Sequence, residues 1–209
     1  MNDDLIYIRD EVIDDVGPWY WLKKETGAWD GPRENWINDH KPRIFKYIKK
    51  WNYVFQAGGC QGMYPRLYAK YFQQVITIEP CYINFQILNL NCPYENIIKI
   101  QAALGLTHQM AGINRMTMDN TGMHTIKRSE PGNIPILMID DFELPALDLI
   151  HLDIEGMELD ALKAGIKTIE KFRPVIVVEN PHTSLTNFIT SMDYEFKEKS
   201  SADGIFAPK

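Results

Sequence analysis

The sequence predicts an α/β fold with a doubly wound, mostly parallel sheet, and three observations support this prediction. From residue 52 onward, short apolar runs alternate with segments of helical periodicity. The apolar runs are continuous, as they are in strands that are buried on both faces. A glycine-rich turn at residues 57–62 directly follows the first run, which is where parallel sheets of this kind hold a ligand.

The predicted elements follow in order along the chain. Residues 1–50 form an irregular cap rich in tryptophan, which a helix at residues 43–51 completes. The cap contains Trp19, Trp21, Trp29 and Trp36, which either cover one flank of the core, the interpretation we favour, or form a lid over the ligand cleft. Strands are predicted at 52–57, 74–79, 97–102, 147–153 and 174–179, and helices at 63–72, 82–90, 157–170 and 183–191.

The alternation of strands and helices breaks between about residues 105 and 135. Glycine, asparagine and proline are frequent there, so we expect an inserted hairpin or irregular strands, with residues 134–139 extended. The segment from Tyr194 onward predicts a closing antiparallel hairpin. Residues 1–209 are therefore expected to form a single domain, in which residues 51–209 are the ligand-binding α/β core.

Composition narrows the classes of partner. The net charge of −6 argues against a nucleic-acid substrate, and no apolar run is long enough to span a membrane. The three cysteines are an odd number without a CxxC pair, which indicates reduced thiols. The acidic start lacks the basic and apolar regions of a signal peptide, so we expect a cytoplasmic protein. The oligomeric state stays open.

The glycine turn and the acid that follows it predict a nucleoside-binding unit. Glycines let the backbone turn sharply and approach a ligand without a Cβ in the way. Glu79 ends the second apolar run, about 20 residues after the turn, where a carboxylate can accept hydrogen bonds from two ribose hydroxyls. A dinucleotide fingerprint would fit only with Ala57 in place of its first glycine. The spacing Gly58-x-Cys60-x-Gly62 fits better the looser turn of S-adenosylmethionine enzymes.

A second motif lies at residues 148–158, where an apolar strand ends in carboxylates. Asp153, Glu155 and Glu158 crowd its tip around Gly156. Like charges at such a tip are destabilising unless a metal, a cationic ligand or a proton-transfer role offsets them. The alternative is that Glu155 and Glu158 cap the following helix, whose N-terminus favours acids.

Together these segments resemble the FkbM family of methyltransferases. The similarity runs in order through residues 54–62, 78–80, 84–91, 102–105 and 148–165, and residues 1–50 have no part in it. The resemblance implies a class I, seven-stranded methyltransferase fold with S-adenosylmethionine as methyl donor. It also implies O-methylation of a hydroxyl on a sugar, a polyketide or a similar small acceptor.

The resemblance assigns residues to the cofactor by position. Gly58 and Gly62, with Gly59 between them, would lie under its methionine part, and Glu79 would hold the ribose. The remaining members of the cofactor-binding set are Gln56, Pro80, Ala102 and Asp153.

The sequence departs from the family in the first motif. Gln56 stands where the family usually has an acid, and Cys60 where it has asparagine. Gln56 can still donate and accept hydrogen bonds but cannot pair with the cofactor ammonium as a charge. We therefore expect modest cofactor affinity, and a non-catalytic protein that kept the fold is one alternative.

Asp153 is the candidate general base, because it lies at the strand tip and faces the reacting centre in the resemblance. His151 lies two residues earlier on the same strand face and is either a proton relay or a packed histidine. His182 follows the fifth strand and is a third catalytic candidate. Asp153 and Glu155 suit Mg²⁺ as ligands, although we favour a metal-free site.

The sequence also leads to expectations for the remaining histidines and for two competing functions. His40, His108 and His124 have no evident partners and are expected at the surface. An NAD-binding protein that uses Ala57, Gly59 and Gly62 is a competing hypothesis. Residues 180–182, Asn-Pro-His, resemble part of the Asn-Pro-Pro-Tyr segment of adenine N6-methyltransferases, but that segment follows the fourth strand and not the fifth.

Overall fold

The computed structural model describes residues 6–9, 19–23, 34–114, 120–127 and 132–209. In these residues the elements run in order: β1 (Ile6–Arg9), β2 (Trp19–Leu22), α1 (Glu34–Phe45), β3 (Tyr53–Ala57), α2 (Met63–Ala69), β4 (Gln74–Ile78), α3 (Tyr82–Asn91), β5 (Ile97–Ile100), β6 (Ala103–Leu104), β7 (Gln109–Asn114), β8 (Thr125–Lys127), β9 (Ile134–Leu137), β10 (Leu149–Leu152), α4 (Glu158–Lys163), α5 (Ile166–Phe172), β11 (Val175–Glu179), α6 (Thr183–Ser191), β12 (Tyr194–Ser200) and β13 (Asp203–Pro208). Short 3₁₀ turns lie at Thr121–Met123 and Ile139–Asp141.

A seven-stranded sheet forms the centre of the fold, in the order β12-β13-β11-β10-β3-β4-β5. The neighbouring strands from β11 to β5 are parallel, and β13 is antiparallel to both β11 and β12. The prediction of an α/β fold with a mostly parallel sheet is confirmed. Because β3, β4, β10 and β11 are parallel, their carboxyl ends lie along one edge of the sheet, which is where open α/β sheets bind ligands.

The central strands bury side chains on both faces, which explains their continuous apolar runs. Phe55 points into one cluster together with residues of α4, α5 and α6, whereas its neighbour Val54 points into a second cluster with residues of α1, α2 and α3. Both side chains are fully buried. Burial of a side chain of this size contributes about 1.5–3 kcal/mol to the free energy of folding. Both apolar layers therefore stabilise the packing of the helices against the sheet.

Most predicted elements of the core are confirmed to within a few residues. The five predicted strands correspond to β3, β4, β5, β10 and β11, and α6 has the predicted bounds of 183–191. The predicted closing hairpin is formed by β12 and β13.

The helix predicted at residues 157–170 is wrong as a single element, because it is two helices that break at Gly165. A Cβ on Gly165 would lie 2.8 Å from the Cβ of Ile139, so a glycine is needed where this side chain packs. The Asp140 backbone N–H donates to the carbonyl of Ala164 at 3.1 Å, and the Asp140 carboxylate accepts from the N–H of Thr168 at 2.9 Å. The 3₁₀ turn therefore fills the break between the two helices.

The helix predicted at residues 43–51 is also wrong in its bounds, because α1 ends at Phe45 and begins in the predicted cap. Pro42 lies inside α1, although proline normally argues against a helix interior. Ile44 and Ile48 are both buried, as the apolar spacing indicated, but the turn after Phe45 is held by i→i+3 hydrogen bonds such as Tyr47 N–H to the Ile44 carbonyl. Trp29 and the side chain of Trp36 lie outside the described residues.

The insertion forms a second sheet of four strands in the order β6-β9-β7-β8. The antiparallel pair β7–β8 and the extended strand β9 confirm the predicted hairpin and the extended stretch from residue 134. A small core of Ala103, Ala111, Ile134 and Ile136 lies in it. Among all the residues that the structure describes, no helix combines the length and the apolar character needed to cross a bilayer.

Candidate functional site

A cleft lies at the carboxyl ends of β3, β4 and β10. It encloses about 990 Å³ of space, part of which is open to solvent. The glycine turn, the tips of β4 and β10, β6, the 3₁₀ turn of the insertion and Trp21 of β2 form its walls. Of the sequence-predicted site residues, the cleft lining includes Gly58, Gly59, Glu79, Pro80, Ala102, Asp153 and Glu155.

The glycine turn has a geometry that only small residues allow. Gly58 has a φ of 82°, and a Cβ there would lie 1.7 Å from the carbonyl oxygen of Asp153. Its backbone N–H and that of Gly59 both donate to the carbonyl of Ile78 at 3.0 Å. Cys60 also lies in the left-handed region, with a φ of 44°. The turn therefore packs between the tips of β4 and β10, and its outer surface faces the cleft.

Gln56 and Gly62 lie beneath this turn and are not among the residues that line the cleft. The Gln56 side chain is buried, donates from Nε2 to the carbonyl of Gly58 at 2.9 Å, and accepts from the hydroxyl of Thr77 at 2.5 Å. A Cβ on Gly62 would lie 2.9 Å from the sulfur of Cys92. Both residues hold the turn in place, and direct contact with a cofactor stays a prediction.

Glu79 lies at the end of β4 with both carboxylate oxygens engaged. One oxygen accepts from the backbone N–H of Cys60 at 2.7 Å and the other from that of Cys81 at 2.8 Å. Burial raises the pKa of Glu79 to about 7, although these two hydrogen bonds act in the opposite direction. A buried carboxylate in this position can receive further donors from a ligand in the cleft.

Asp153 is the centre of an acidic cluster at the tips of β10 and β11. It hydrogen bonds to Glu179, and their carboxylate oxygens lie within 4.8 Å of each other and of Glu155. Burial, followed by the neighbouring charge of Glu179, raises the pKa of Asp153 well above its usual value. Burial likewise raises the pKa of Glu155 to about 7. Burial and the neighbouring carboxylate thus both favour the protonated form of Asp153 in the free protein.

Asp153, Glu155 and Glu179 also form a set of oxygen ligands that would suit a divalent cation. Glu179 is the member that the sequence analysis missed, although it is the last residue of a predicted strand. Glu158 has a different role, because its Oε1 accepts from the backbone N–H groups of Ile154 and Gly156 at 3.1 and 3.3 Å. Both N–H groups belong to the loop that precedes α4, so Glu158 holds this loop, and it also lies in the first turn of α4, where the helix dipole favours an acid.

His151 lies beneath the cleft and does not line it. Its Nδ1 is 2.6 Å from the hydroxyl of Tyr68, its ring packs edge-on against Tyr64, and its Nε2 is 3.7 Å from a carboxylate oxygen of Asp203. This is the environment of a packed histidine, the alternative considered beside a proton relay.

His182 is exposed at the start of α6 and is not part of the cleft lining. Its Nδ1 accepts from the backbone N–H of Leu185 at 3.3 Å, so the side chain caps the helix. The catalytic roles of His182 and His151 stay predictions.

The cleft contains residues that the sequence analysis did not identify. Tyr64 lines it, and its hydroxyl donates to Asp203 at 3.1 Å. His124 was expected at the surface, but it is buried and lines the cleft, and His40 is buried as well. Tyr64 follows the glycine turn closely and could have been suspected, whereas the tertiary structure alone brings His124 and Asp203 to this site.

The N-terminal strand β2 is attached to the glycine turn by side-chain amides. Gln61 accepts from the backbone N–H of Leu22 at 3.2 Å, and Asn91 pairs with both backbone groups of Tyr20 at 2.7 and 2.8 Å. The Arg66 guanidinium stacks on the buried ring of Trp19, 4.2 Å from its centroid. These contacts place Trp21, the neighbour of Tyr20, in the wall of the cleft.

Comparison with solved structures identifies proteins of similar fold. The crystal structure of Methyltransferase FkbM from Methylobacillus flagellatus KT matches with a TM-score of 0.53 and 21% identity, over 76% of this chain and 44% of that one. Precorrin-6y C5,15-methyltransferase from Geobacter metallireducens GS-15 matches with a TM-score of 0.51 and 10% identity, over 86% of this chain and 94% of that one. The Pyrococcus abyssi tRNA (uracil-54, C5)-methyltransferase, solved with S-adenosyl-L-homocysteine, gives a TM-score of 0.52 and 10% identity, over 97% of this chain and 44% of that one.

At these identities the structural matches show the fold alone, and the chain spans less than half the length of the FkbM methyltransferase it resembles. A comparison with curated protein sequences found no match. The sequence profile of the Methyltransferase FkbM domain, however, matches residues 60–198, which is more than half of the chain. On this evidence the chain belongs to the FkbM family of methyltransferases.

Proposed function

We propose that the protein uses S-adenosylmethionine to methylate a hydroxyl group on a small acceptor such as a sugar or a polyketide. One observation carries this proposal: a single cleft brings together the glycine turn, Glu79 and the raised-pKa carboxyl of Asp153. The turn and Glu79 suit a nucleoside, and Asp153 suits a proton-transfer step beside it.

The charges of the cleft fit this cofactor. Glu79, Asp153 and Glu155 all have pKa values raised mainly by burial, so each would gain from a positive charge nearby. S-adenosylmethionine carries a sulfonium and an ammonium group, together with a ribose for Glu79. When bound, it supplies an electrophilic methyl group.

Ionised Asp153 would take the proton of the acceptor hydroxyl as the oxygen bonds to the methyl carbon and the carbon–sulfur bond breaks, which would leave neutral S-adenosylhomocysteine sulfur. A carboxylate whose pKa is raised is a stronger base than an ordinary one, provided that a positive charge keeps it ionised. Glu179 hydrogen bonds to Asp153 and orients it. Burial raises the pKa of Tyr64 well above its usual value, so its hydroxyl stays neutral and orients the acceptor rather than acting as base.

The walls of the cleft support a small acceptor. Apart from its carboxylates it is lined by apolar and aromatic side chains, among them Trp21, Leu104, Ile126 and Met157. The net charge of −6 disfavours a nucleic acid as acceptor.

We extend the proposal to the N-terminal segment, in which Trp21 would be part of an aromatic lid over the cleft. The helices on both faces support a doubly wound, class I arrangement.

The test of the proposed base is the substitution Asp153→Asn. It removes the proton acceptor but keeps the side-chain volume, so the variant should bind S-adenosylhomocysteine within about threefold of the wild type while methyl transfer falls about 100-fold or more. Calorimetry measures the binding, and mass spectrometry measures transfer to a panel of sugars and polyketide alcohols. Glu143→Gln, at an exposed acid that does not line the cleft, is the control and should retain full activity. Full activity in Asp153→Asn would exclude Asp153 as the base.

Two further measurements separate the competing functions. S-adenosylhomocysteine should raise the unfolding temperature, whereas NAD should leave it unchanged, since ligand binding to the native state alone stabilises it. The absence of a shift with millimolar S-adenosylhomocysteine would favour the non-catalytic alternative.

We also propose that methyl transfer needs no divalent metal, so activity should be the same with EDTA and with Mg²⁺. A strict Mg²⁺ requirement would instead assign Asp153, Glu155 and Glu179 to a metal.

A further inference from the structure

Asn84, on α3, is a second polar side chain at the ribose end of the cleft. It is 1% exposed and lines the cleft together with Glu79. Its amide nitrogen donates to the backbone carbonyl of Thr121 at 3.1 Å. A carbonyl oxygen only accepts hydrogen bonds, so the nitrogen of the amide faces Thr121 and the orientation of the side chain is fixed.

This orientation leaves Oδ1 of Asn84 without a hydrogen-bond partner among the residues that the structure describes. Buried polar atoms nearly always have a partner, because an unsatisfied one is costly. The atom is an acceptor on a residue that lines a ligand cleft, so a donor on the ligand would satisfy it.

The acceptor positions of Glu79 are partly filled. An ionised carboxylate offers about four positions to hydrogen-bond donors. Two are taken, by the backbone N–H groups of Cys60 and Cys81 at 2.7 and 2.8 Å. A ribose diol brings two further hydroxyl donors, and a second acceptor beside Glu79 would take one of them.

We propose that Asn84 and Glu79 share the ribose diol of the cofactor, one hydroxyl donating to Oδ1 of Asn84 and the other to the carboxylate of Glu79. The proposal rests on the proposed function for its nucleoside ligand. It makes Asn84 a binding residue, and it also makes the 3₁₀ turn at Thr121–Met123 part of ribose recognition, because Thr121 holds the Asn84 amide.

The experiment compares three ligands by calorimetry: S-adenosylhomocysteine and its 2′-deoxy and 3′-deoxy analogues. In the wild type, loss of either hydroxyl should weaken binding about tenfold, the effect of one hydrogen bond to a buried acceptor. In Asn84→Ala, S-adenosylhomocysteine itself should bind about tenfold more weakly. The variant should then bind one of the two deoxy analogues with the same affinity as S-adenosylhomocysteine. The hydroxyl that this analogue lacks is the one whose acceptor the substitution has removed.

Asn89→Ala is the matched control, since it removes the same type of side chain from the same helix at a position that does not line the cleft. It should show both tenfold losses, as the wild type does. If Asn84→Ala unfolds, Asn84→Leu keeps the side-chain volume and takes its place. Two undiminished losses in the Asn84 variant would overturn the shared diol but leave the cofactor assignment intact. A wild type that binds none of the three ligands would overturn both proposals.

Discussion

Gly58 and Gly156 both have left-handed backbone, with φ of 82° and 90°, but their surroundings differ. A Cβ on Gly58 would meet the carbonyl oxygen of Asp153 at 1.7 Å, whereas a Cβ on Gly156 has no atom within 4 Å. Gly156→Ala should therefore cost only the backbone strain, about 1–2 kcal/mol. Gly58→Ala should cost at least about 2 kcal/mol more, because it also forces the strands apart. Urea unfolding measures both; equal losses would contradict the tight packing of the turn.

Cys60 carries a backbone conformation that its side chain disfavours. Its φ of 44° lies in the region that asparagine tolerates better than most residues do. Cys60→Asn should therefore raise the free energy of unfolding by about 0.5–1 kcal/mol. Cys60→Ser, which has a similar size but no such tolerance, is the control and should not stabilise. Denaturant titration gives both values, and a destabilised asparagine variant would show that the thiol has a packing role.

Among individual residues of the site, those that belong to a local sequence motif could be predicted from the sequence. Gly58 and Asp153 each lie at the end of an apolar run, so their place at the strand tips could be predicted. Tyr64 closely follows the glycine turn and could have been suspected, whereas His124 could not, because it reaches the cleft through packing between distant segments. Asn84 belongs to the recognised pattern, but only its buried, unpartnered oxygen indicates what it does.

The break between α4 and α5 depends on a contact from a distant segment. Asp140 accepts from the backbone N–H groups of Lys167 and Thr168, and it acts as the cap that Gly165 cannot provide. Asp140→Ala should destabilise the protein by about 1 kcal/mol. Glu143→Ala, at an exposed acid nearby, should have no effect beyond about 0.5 kcal/mol. Equal effects of the two substitutions in thermal unfolding would exclude this capping role.

Strands were easier to predict than helix ends. Each core strand is a run of apolar residues bounded by polar ones, which is a local signal. The break at Gly165 is set by its contact with Ile139, and α1 gives way after Phe45 to a turn with i→i+3 hydrogen bonds, whereas the apolar spacing continues through both. Periodicity therefore located the buried positions of these helices, such as Ile44, and missed where the backbone changes direction.

For the whole molecule, the raised carboxyl pKa values determine how stability depends on pH. Glu79 and Glu155 have pKa values of about 7 in the folded protein against 4.5 ordinarily, so the folded state binds more protons than the unfolded one. Their stabilising contribution is complete below pH 4.5 and is lost as the pH rises through about 7. The unfolding temperature should therefore fall between pH 5 and pH 8 in buffer with EDTA.

The variant Glu155→Gln isolates one of these groups. Because glutamine does not titrate, the fall in unfolding temperature should be smaller in the variant, and the two proteins should differ most at pH 8. Glu143→Gln again serves as the control at an exposed site. Parallel pH curves for wild type and Glu155→Gln would show that this carboxyl titrates normally.

The position of β13 between β11 and β12 has a consequence for synthesis of the protein. The ribosome makes β13 after every other strand of the sheet, and with it Asp203, which anchors Tyr64. Until then β11 presents an unpaired edge on a growing polypeptide. Nascent chains should therefore be most prone to edge-to-edge association while β11 still lacks β13 as its neighbour.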